Sequence, residues 1–213
     1  MERRPIASRQ TKWASQIAAA LARTGITPNT ISVIGMLAAI LAGGAFFLTG
    51  TESGPDWIWW IAGAALCQIR LLANLFDGMV AQIQNTASPV GELYNEVPDR
   101  ISDAAIMIGF GYAAGSLPWL GWCAASLSIF VAYVRVQGAL AGAPNDFCGP
   151  FAKPQRMALI TIAAILTAFL AGFWEPIPVV ALAVISVGAL ATAIRRLLRS
   201  ARNLNRSSSP DAS

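Results

Sequence analysis

Apolar residues fall in six stretches separated by short polar or turn-forming segments. A helix needs about 20 predominantly apolar residues to cross a hydrocarbon core of about 30 Å. Stretches close to that length run over 30–48, 57–76, 101–117, 119–140, 157–173 and 177–194. The second carries Gln68, Arg70 and Asn74 in its last third, and the fourth carries Arg135. Ahead of them, within the segment from Ser8 to Arg23, Trp13, Ile17, Ala20 and Leu21 are spaced along one helical face. That arrangement suits a helix lying in the membrane interface. The expected fold class is all-α and integral to the membrane. Residues 1–29 form the amphipathic N-terminal segment, 30–197 a six-helix transmembrane bundle, and 198–213 a basic and then polar tail. The last residues, 207–213, are short and polar enough to be expected disordered. The first 25 residues contain no apolar run of the length a cleavable signal needs.

Composition strengthens this picture. Apolar residues make up 55% of the 213 and charged residues 12%, against roughly 25% charged in soluble domains, and mean hydropathy is +0.56. Charge then sets an orientation, because Lys and Arg concentrate in cytoplasmic loops. Arg3, Arg4, Arg9, Lys12 and Arg23 precede the first stretch; Arg100 lies between the second and third. Lys153 and Arg156 lie between the fourth and fifth, and Arg195, Arg196, Arg199, Arg202 and Arg206 follow or end the sixth. The remaining connections hold no Lys or Arg but do hold Glu52, Asp56 and Glu175. Both termini are therefore expected in the cytoplasm. The isoelectric point near 9.3 comes from residues placed to meet anionic lipid headgroups, so nucleic acid is not an expected partner.

Residue usage excludes several chemistries. There is no His, which removes Ser-His and Cys-His nucleophilic machinery and His-ligated zinc. Cys67, Cys123 and Cys148 are scattered without CxxC spacing and read as packing residues. Acidic chemistry, by contrast, clusters: five of the eleven Asp and Glu residues (Asp77, Glu92, Glu96, Asp99 and Asp103) lie between 77 and 103. Asn74 and Asp77 are three residues apart, and Asn95, Asp99 and Asp103 repeat every four. Such spacings share one helix face. Two facing helices would converge acidic and amide oxygens on a pocket near the cytoplasmic interface, which puts the expected site on the cytoplasmic side, and hard cations such as Mg²⁺ or Mn²⁺ prefer oxygen ligands. Carboxylates at membrane depth are costly enough to suggest function. The competing reading is a structural network in which these acids cap helix ends and pair with Arg70 and Arg100. Gly78, Ala81 and Gly91 would let a ligand approach the backbone closely.

The spacing also resembles the signature of the CDP-alcohol phosphotransferases: Asp, two residues, Asp-Gly, two residues, Ala-Arg, eight residues, Gly, three residues, Asp, three residues, Asp. This chain reads Asn74, Asp77-Gly78, Ala81-Gln82, Gly91, Asn95 and Asp99 at the same spacings over 26 positions. Residues Gly25 to Thr30 look like the family's usual entry into its membrane bundle. The chain departs from the signature at Asn74, Asn95 and Gln82. The resemblance implies an attack by an alcohol on the phosphoryl group of a CDP-linked donor, with CMP leaving and Mg²⁺ or Mn²⁺ as cofactor. It assigns metal binding to Asn74, Asp77, Asn95 and Asp99, nucleotide binding to Asp77, Gly78, Ala81, Gln82 and Gly91, and the catalytic base to Asp99. Lys153, Arg156 and Arg135 are candidates for contacting phosphate of donor or acceptor, and Glu96 and Asp103 are candidate auxiliary acids. The donor implied is CDP-diacylglycerol, by analogy with bacterial members in their inner membrane, and a homodimer is implied in the same way. Two alternatives stand beside the enzyme: a non-catalytic relative that binds nucleotide or lipid, and a transporter, whose expected inverted repeat is not visible in the sequence.

Overall fold

The computed structural model describes residues 11–86, 89–170 and 176–207. These form seven α-helices, with no strand among the described residues: α1 Lys12–Arg23, α2 Pro28–Leu48, α3 Asp56–Ile83, α4 Pro89–Gly111, α5 Pro118–Leu140, α6 Lys153–Leu170 and α7 Ile177–Ser207. Five of them, α2, α3, α5, α6 and α7, are long and apolar enough to cross a membrane. Of the six expected spans the exception is α4, which carries Glu96, Asp99, Arg100 and Asp103.

Local sequence explains where the helices start. Thr27 caps α2 by accepting a hydrogen bond from the Thr30 backbone N–H at 3.2 Å, and Pro28 follows at the first helical position, where its missing N–H costs nothing. Asp56 opens α3 and accepts from the Gly50 backbone at 2.7 Å, fixing the short α2–α3 connection. Four helices differ from their expected bounds. Helix α3 continues past 76 to Ile83, α4 begins at Pro89 and ends at Gly111 short of 117, α6 begins at Lys153, and α7 runs past 194 to Ser207. Each extension takes in polar or charged residues, which hydropathy discounts although they are helix-compatible. Part of the fifth expected stretch, 171–173, and the tail 208–213 lie outside the described residues.

The bundle closes around small residues. Along α2, Gly35, Ala38, Ala39, Ala42 and Gly43 are buried, and a Cβ at Gly43 would overlap the Ala105 carbonyl of α4, just as one at Gly109 would overlap the Gly43 carbonyl. Such close backbone approach is the usual basis of helix pairing in lipid. At the end of the bundle away from the acidic cluster, Phe46, Trp60 and Phe110 pack with ring centroids 5.0 to 5.7 Å apart. Helix α1 docks through Ala14 and Ala18 onto a cluster containing Ala73, Phe76 and Val80. Trp13 and Ile17 remain roughly half exposed, at 46% and 43%. The apolar face read from sequence thus divides into a docking edge and an outward edge. Large apolar side chains such as Leu41, Phe47, Phe169 and Val187 cover the outside.

Candidate active site

The starts of α2, α4 and α6 meet the ends of α3, α5 and α7 on one side of the bundle, and the polar residues gather there. Helix α3 contributes Arg70, Asn74 and Asp77. Asn74 Nδ2 reaches Asn95 Oδ1 at 3.4 Å and Asp99 Oδ1 at 3.2 Å, across to α4. Arg70, 3% exposed, pairs with the same Asp99 oxygen. From α6, Lys153 Nζ lies 2.7 Å from Asp99 Oδ2, and Arg100 lies 3.6 Å from it. Asp77 is buried at 4% exposure; its carboxylate accepts from Ser32 Oγ of α2 at 2.8 Å and from the Gly78 backbone at 2.5 Å.

A second layer of ion pairs surrounds this group. Glu96 Oε1 pairs with Arg135 of α5 at 2.5 Å and Glu96 Oε2 with Arg100 at 3.3 Å. Arg135 also lies over the Phe147 ring, 5.4 Å from its centroid. Asp103 and Arg156 pair at 2.8 Å with side-chain exposures of 1% and 2%, and Arg156 also donates to the Phe151 carbonyl at 2.9 Å. The loop that delivers Lys153 is held by Arg196 of α7, which donates to the Cys148 carbonyl at 2.9 Å and to the Val131 carbonyl at 3.2 Å. In that loop, burial opposes the charge of Asp146. Its carboxyl is nevertheless held below the usual carboxylate range by hydrogen bonds from the Cys148 thiol and backbone, and by Arg199 and Arg196.

Asn74, Asn95 and Asp99 therefore come together with Lys153, and Asp77 lies one turn beyond Asn74 on α3. Gly78 and Ala81 are buried on α3 beside them, Gly91 is half-buried near the start of α4, and Gln82 is exposed in the last turn of α3. Glu96 and Asp103, expected as auxiliary acids, and Arg135 and Arg156, expected as phosphate contacts, pair with one another in the structure, Glu96 with Arg135 and Asp103 with Arg156. Ser32 and Arg196 were not singled out from sequence. The signal for Ser32 is a lone hydroxyl in the first turns of an apolar helix, whereas Arg196 is indistinguishable from its basic neighbours without the fold.

Does the cluster suit a divalent cation? Among the described residues no three His, Cys, Asp or Glu side chains converge as a metal site. The fit rests on a mixed set: the carboxylates of Asp77 and Asp99 with the amides of Asn74 and Asn95. An amide turned over presents its oxygen in place of its nitrogen. All four side chains then offer oxygen, and the two carboxylates match one divalent charge. A hard cation suits that set.

The family described as CDP-alcohol phosphatidyltransferase matches residues 25–202. The phosphatidylinositol phosphate synthase of Mycobacteroides abscessus is 27% identical, covering 89% of this chain and 85% of that protein. The archaetidylinositol phosphate synthase of Pyrococcus horikoshii is 29% identical, over 75% of this chain and 80% of that protein. Among solved structures, Mycobacterium tuberculosis phosphatidylinositol phosphate synthase with CDP-DAG bound has the same fold, with a TM-score of 0.75 at 22% identity over 95% of this chain and 97% of that one. The same enzyme in complex with manganese and citrate gives a TM-score of 0.74 at 22% identity, over 93% and 91%.

Proposed function

The chain belongs to the CDP-alcohol phosphatidyltransferase family, and from that premise we propose that it transfers a phosphatidyl group from CDP-diacylglycerol to an alcohol, with release of CMP. The observation that carries the reading is the convergence of Asn74 and Asp77 of α3 with Asn95 and Asp99 of α4 beside Lys153 of α6. The acceptor hydroxyl attacks the phosphorus that bears the lipid. A new P–O bond forms, the bridging P–O bond to CMP breaks, and the hydroxyl proton passes to Asp99 as general base. Mg²⁺ or Mn²⁺, held by Asn74, Asp77, Asn95 and Asp99, supplies charge neutralisation on the diphosphate and alignment of attacking and leaving oxygens. Gly78, Ala81 and Gly91 leave room for the cytidine part, and Lys153 and Arg135 offer cations to phosphate oxygens. The relatives' names specify products that carry a second phosphate, and this supports an inositol phosphate as the acceptor.

In this reading α4 is the sixth span. Its 23 residues extend about 34 Å at 1.5 Å per residue. Leu93, Val97 and Ile101 turn outward at 64%, 54% and 43% exposure, while the side chains of Asp99 and Asp103 face inward at 14% and 1%. That distribution suits a helix with lipid on one side and a polar cavity on the other. Residues 1–29 then form the interfacial segment, and the basic end of α7 lies at the cytoplasmic surface beside the site.

The test is CMP release by the full-length purified chain from CDP-diacylglycerol with Mg²⁺ or Mn²⁺, comparing inositol phosphate with inositol. Release that requires the phosphorylated acceptor, and that falls at least 100-fold in Asp99→Ala, is the expected result. Mn²⁺ and CDP raising the melting midpoint without any CMP release would instead identify a binding protein.

A further inference from the structure

We infer that this chain holds a single divalent cation, and that the guanidinium of Arg70 permanently occupies the place where a second cation would sit. The inference rests on the proposed reading of the site and goes beyond it by assigning the number of ions and a role to Arg70. A two-ion phosphoryl-transfer site sets its metals about 3.5–4 Å apart, clamping the attacking and leaving oxygens between them. Such a pair brings four positive charges and needs a carboxylate to bridge them. The donor set here has two carboxylates, Asp77 and Asp99, where two further positions offer only amides, Asn74 and Asn95.

The bridging role would fall to Asp99, the carboxylate that α3, α4 and α6 all surround. Its Oδ1 already accepts from Arg70 and Asn74, and its Oδ2 faces Lys153 at 2.7 Å and Arg100 at 3.6 Å. A second ion there would lie against a guanidinium and an ammonium. Arg70 has no room to withdraw. It is 3% exposed, and its guanidinium is held by the Asp99 carboxylate across the helix pair. Its buried Nε has no hydrogen-bond partner among the described residues, which leaves a donor for an anionic ligand. A guanidinium presents its N–H groups as a planar fork that matches phosphate oxygens. The donor diphosphate would thus meet one metal ion together with Arg70 and Lys153.

Asp77, on the other side, forms no ion pair among the described residues. Its oxygens accept from neutral donors, Ser32 and the Gly78 backbone, and each carboxylate oxygen keeps a second lone pair. The single ion belongs there, between Asp77 and the two amides, with Asp99 at its edge.

The experiment counts Mn²⁺ bound per chain in the detergent-purified full-length protein with CDP present, and records the electron paramagnetic resonance spectrum of the bound ion. One Mn²⁺ per chain with the six-line spectrum of an isolated ion, unchanged at saturating metal, is expected. The variant Asn74→Asp/Asn95→Asp/Arg70→Gln is expected to bind two per chain and to show the extra lines of an exchange-coupled pair. Two ions per chain in the unaltered protein would overturn the inference while leaving the metal-dependent reading intact. No bound Mn²⁺ would overturn both. A folded triple variant that still binds one ion would overturn the role given to Arg70 and the asparagines. If that variant does not fold, the count on the unaltered chain decides.

Discussion

Asp103 and Arg156 show how much a single residue's role depends on its partner. Spacing places Asp103 on the same helix face as Asn95 and Asp99, and from that alone it reads as a candidate ligand. In the fold it is sealed against Arg156 at 2.8 Å. Removing one member of a buried pair leaves an uncompensated charge and costs about 3–5 kcal/mol, whereas replacing both by apolar residues is often neutral. Asp103→Ala and Arg156→Met should therefore each lower the melting midpoint sharply, and Asp103→Leu/Arg156→Met should recover most of the loss. A double variant no more stable than the singles would show that the pair does more than neutralise itself. Ser32 carries a smaller prediction. Its hydroxyl is 2.8 Å from Asp77 Oδ2, and leaving a buried acceptor unpaired costs about 1–3 kcal/mol. Ser32→Ala should lower the midpoint by a few degrees, and Mn²⁺ should restore part of it by giving Asp77 a new partner, as thermal unfolding with and without metal would show. Sequence places residues on faces but does not pair them across 53 or 45 positions of chain, and this is why neither the Asp103–Arg156 pair nor the Ser32–Asp77 contact is legible in it.

At the scale of elements, the apolar helices were legible because hydropathy reports lipid contact directly. Their polar extensions were not. Helix α4 shows the reason: its first turns carry Glu92, Asn95, Glu96, Asp99 and Arg100, which a hydropathy profile scores as loop. The inward or paired placement of Asn95, Glu96, Asp99 and Arg100 becomes visible only once α3, α5 and α6 stand beside them. The α2–α4 crossing is the contact that sets the site's dimensions, since Gly43 and Gly109 let the two backbones touch and so hold Asn95 and Asp99 opposite Asn74. A side chain at Gly43 forces α4 away from α2, and overpacking of this kind costs about 1–3 kcal/mol or more. Gly43→Leu should destabilise the chain by at least that amount in thermal unfolding. In whatever folded protein remains, it should weaken Mn²⁺ binding although no ligand has changed. By contrast Gly44→Leu, where a Cβ meets nothing within 4 Å, should leave both close to the unaltered values.

At the scale of the whole molecule, the charge pattern and the site place the same constraint on orientation from independent directions. The positive-inside rule concerns only the connections and ends. The connection between α2 and α3 carries Glu52 and no Lys or Arg, whereas the α7 end carries Arg195, Arg196, Arg199 and Arg202. In the fold the end of α3, the start of α6 and the basic end of α7 lie on the same side as Asn74, Asp77 and Asp99. On the proposed reaction, a water-soluble acceptor and the departing CMP must reach that side, so the site and the basic end should both face the cytoplasm. The prediction is checked in a variant lacking Cys67, Cys123 and Cys148, into which one cysteine is returned at a time. Ser53→Cys, exposed between α2 and α3, should react with a membrane-impermeant maleimide in intact cells. Thr86→Cys and Asn205→Cys, exposed after α3 and near the end of α7, should react only once the membrane is opened. If Thr86→Cys reacted in intact cells while Asn205→Cys did not, α4–α7 could not cross as the bundle requires, and α4 would lose its place as a span. If both reacted and Ser53→Cys did not, the whole bundle would be inverted and the site would open away from the compartment that holds its CDP-linked donor.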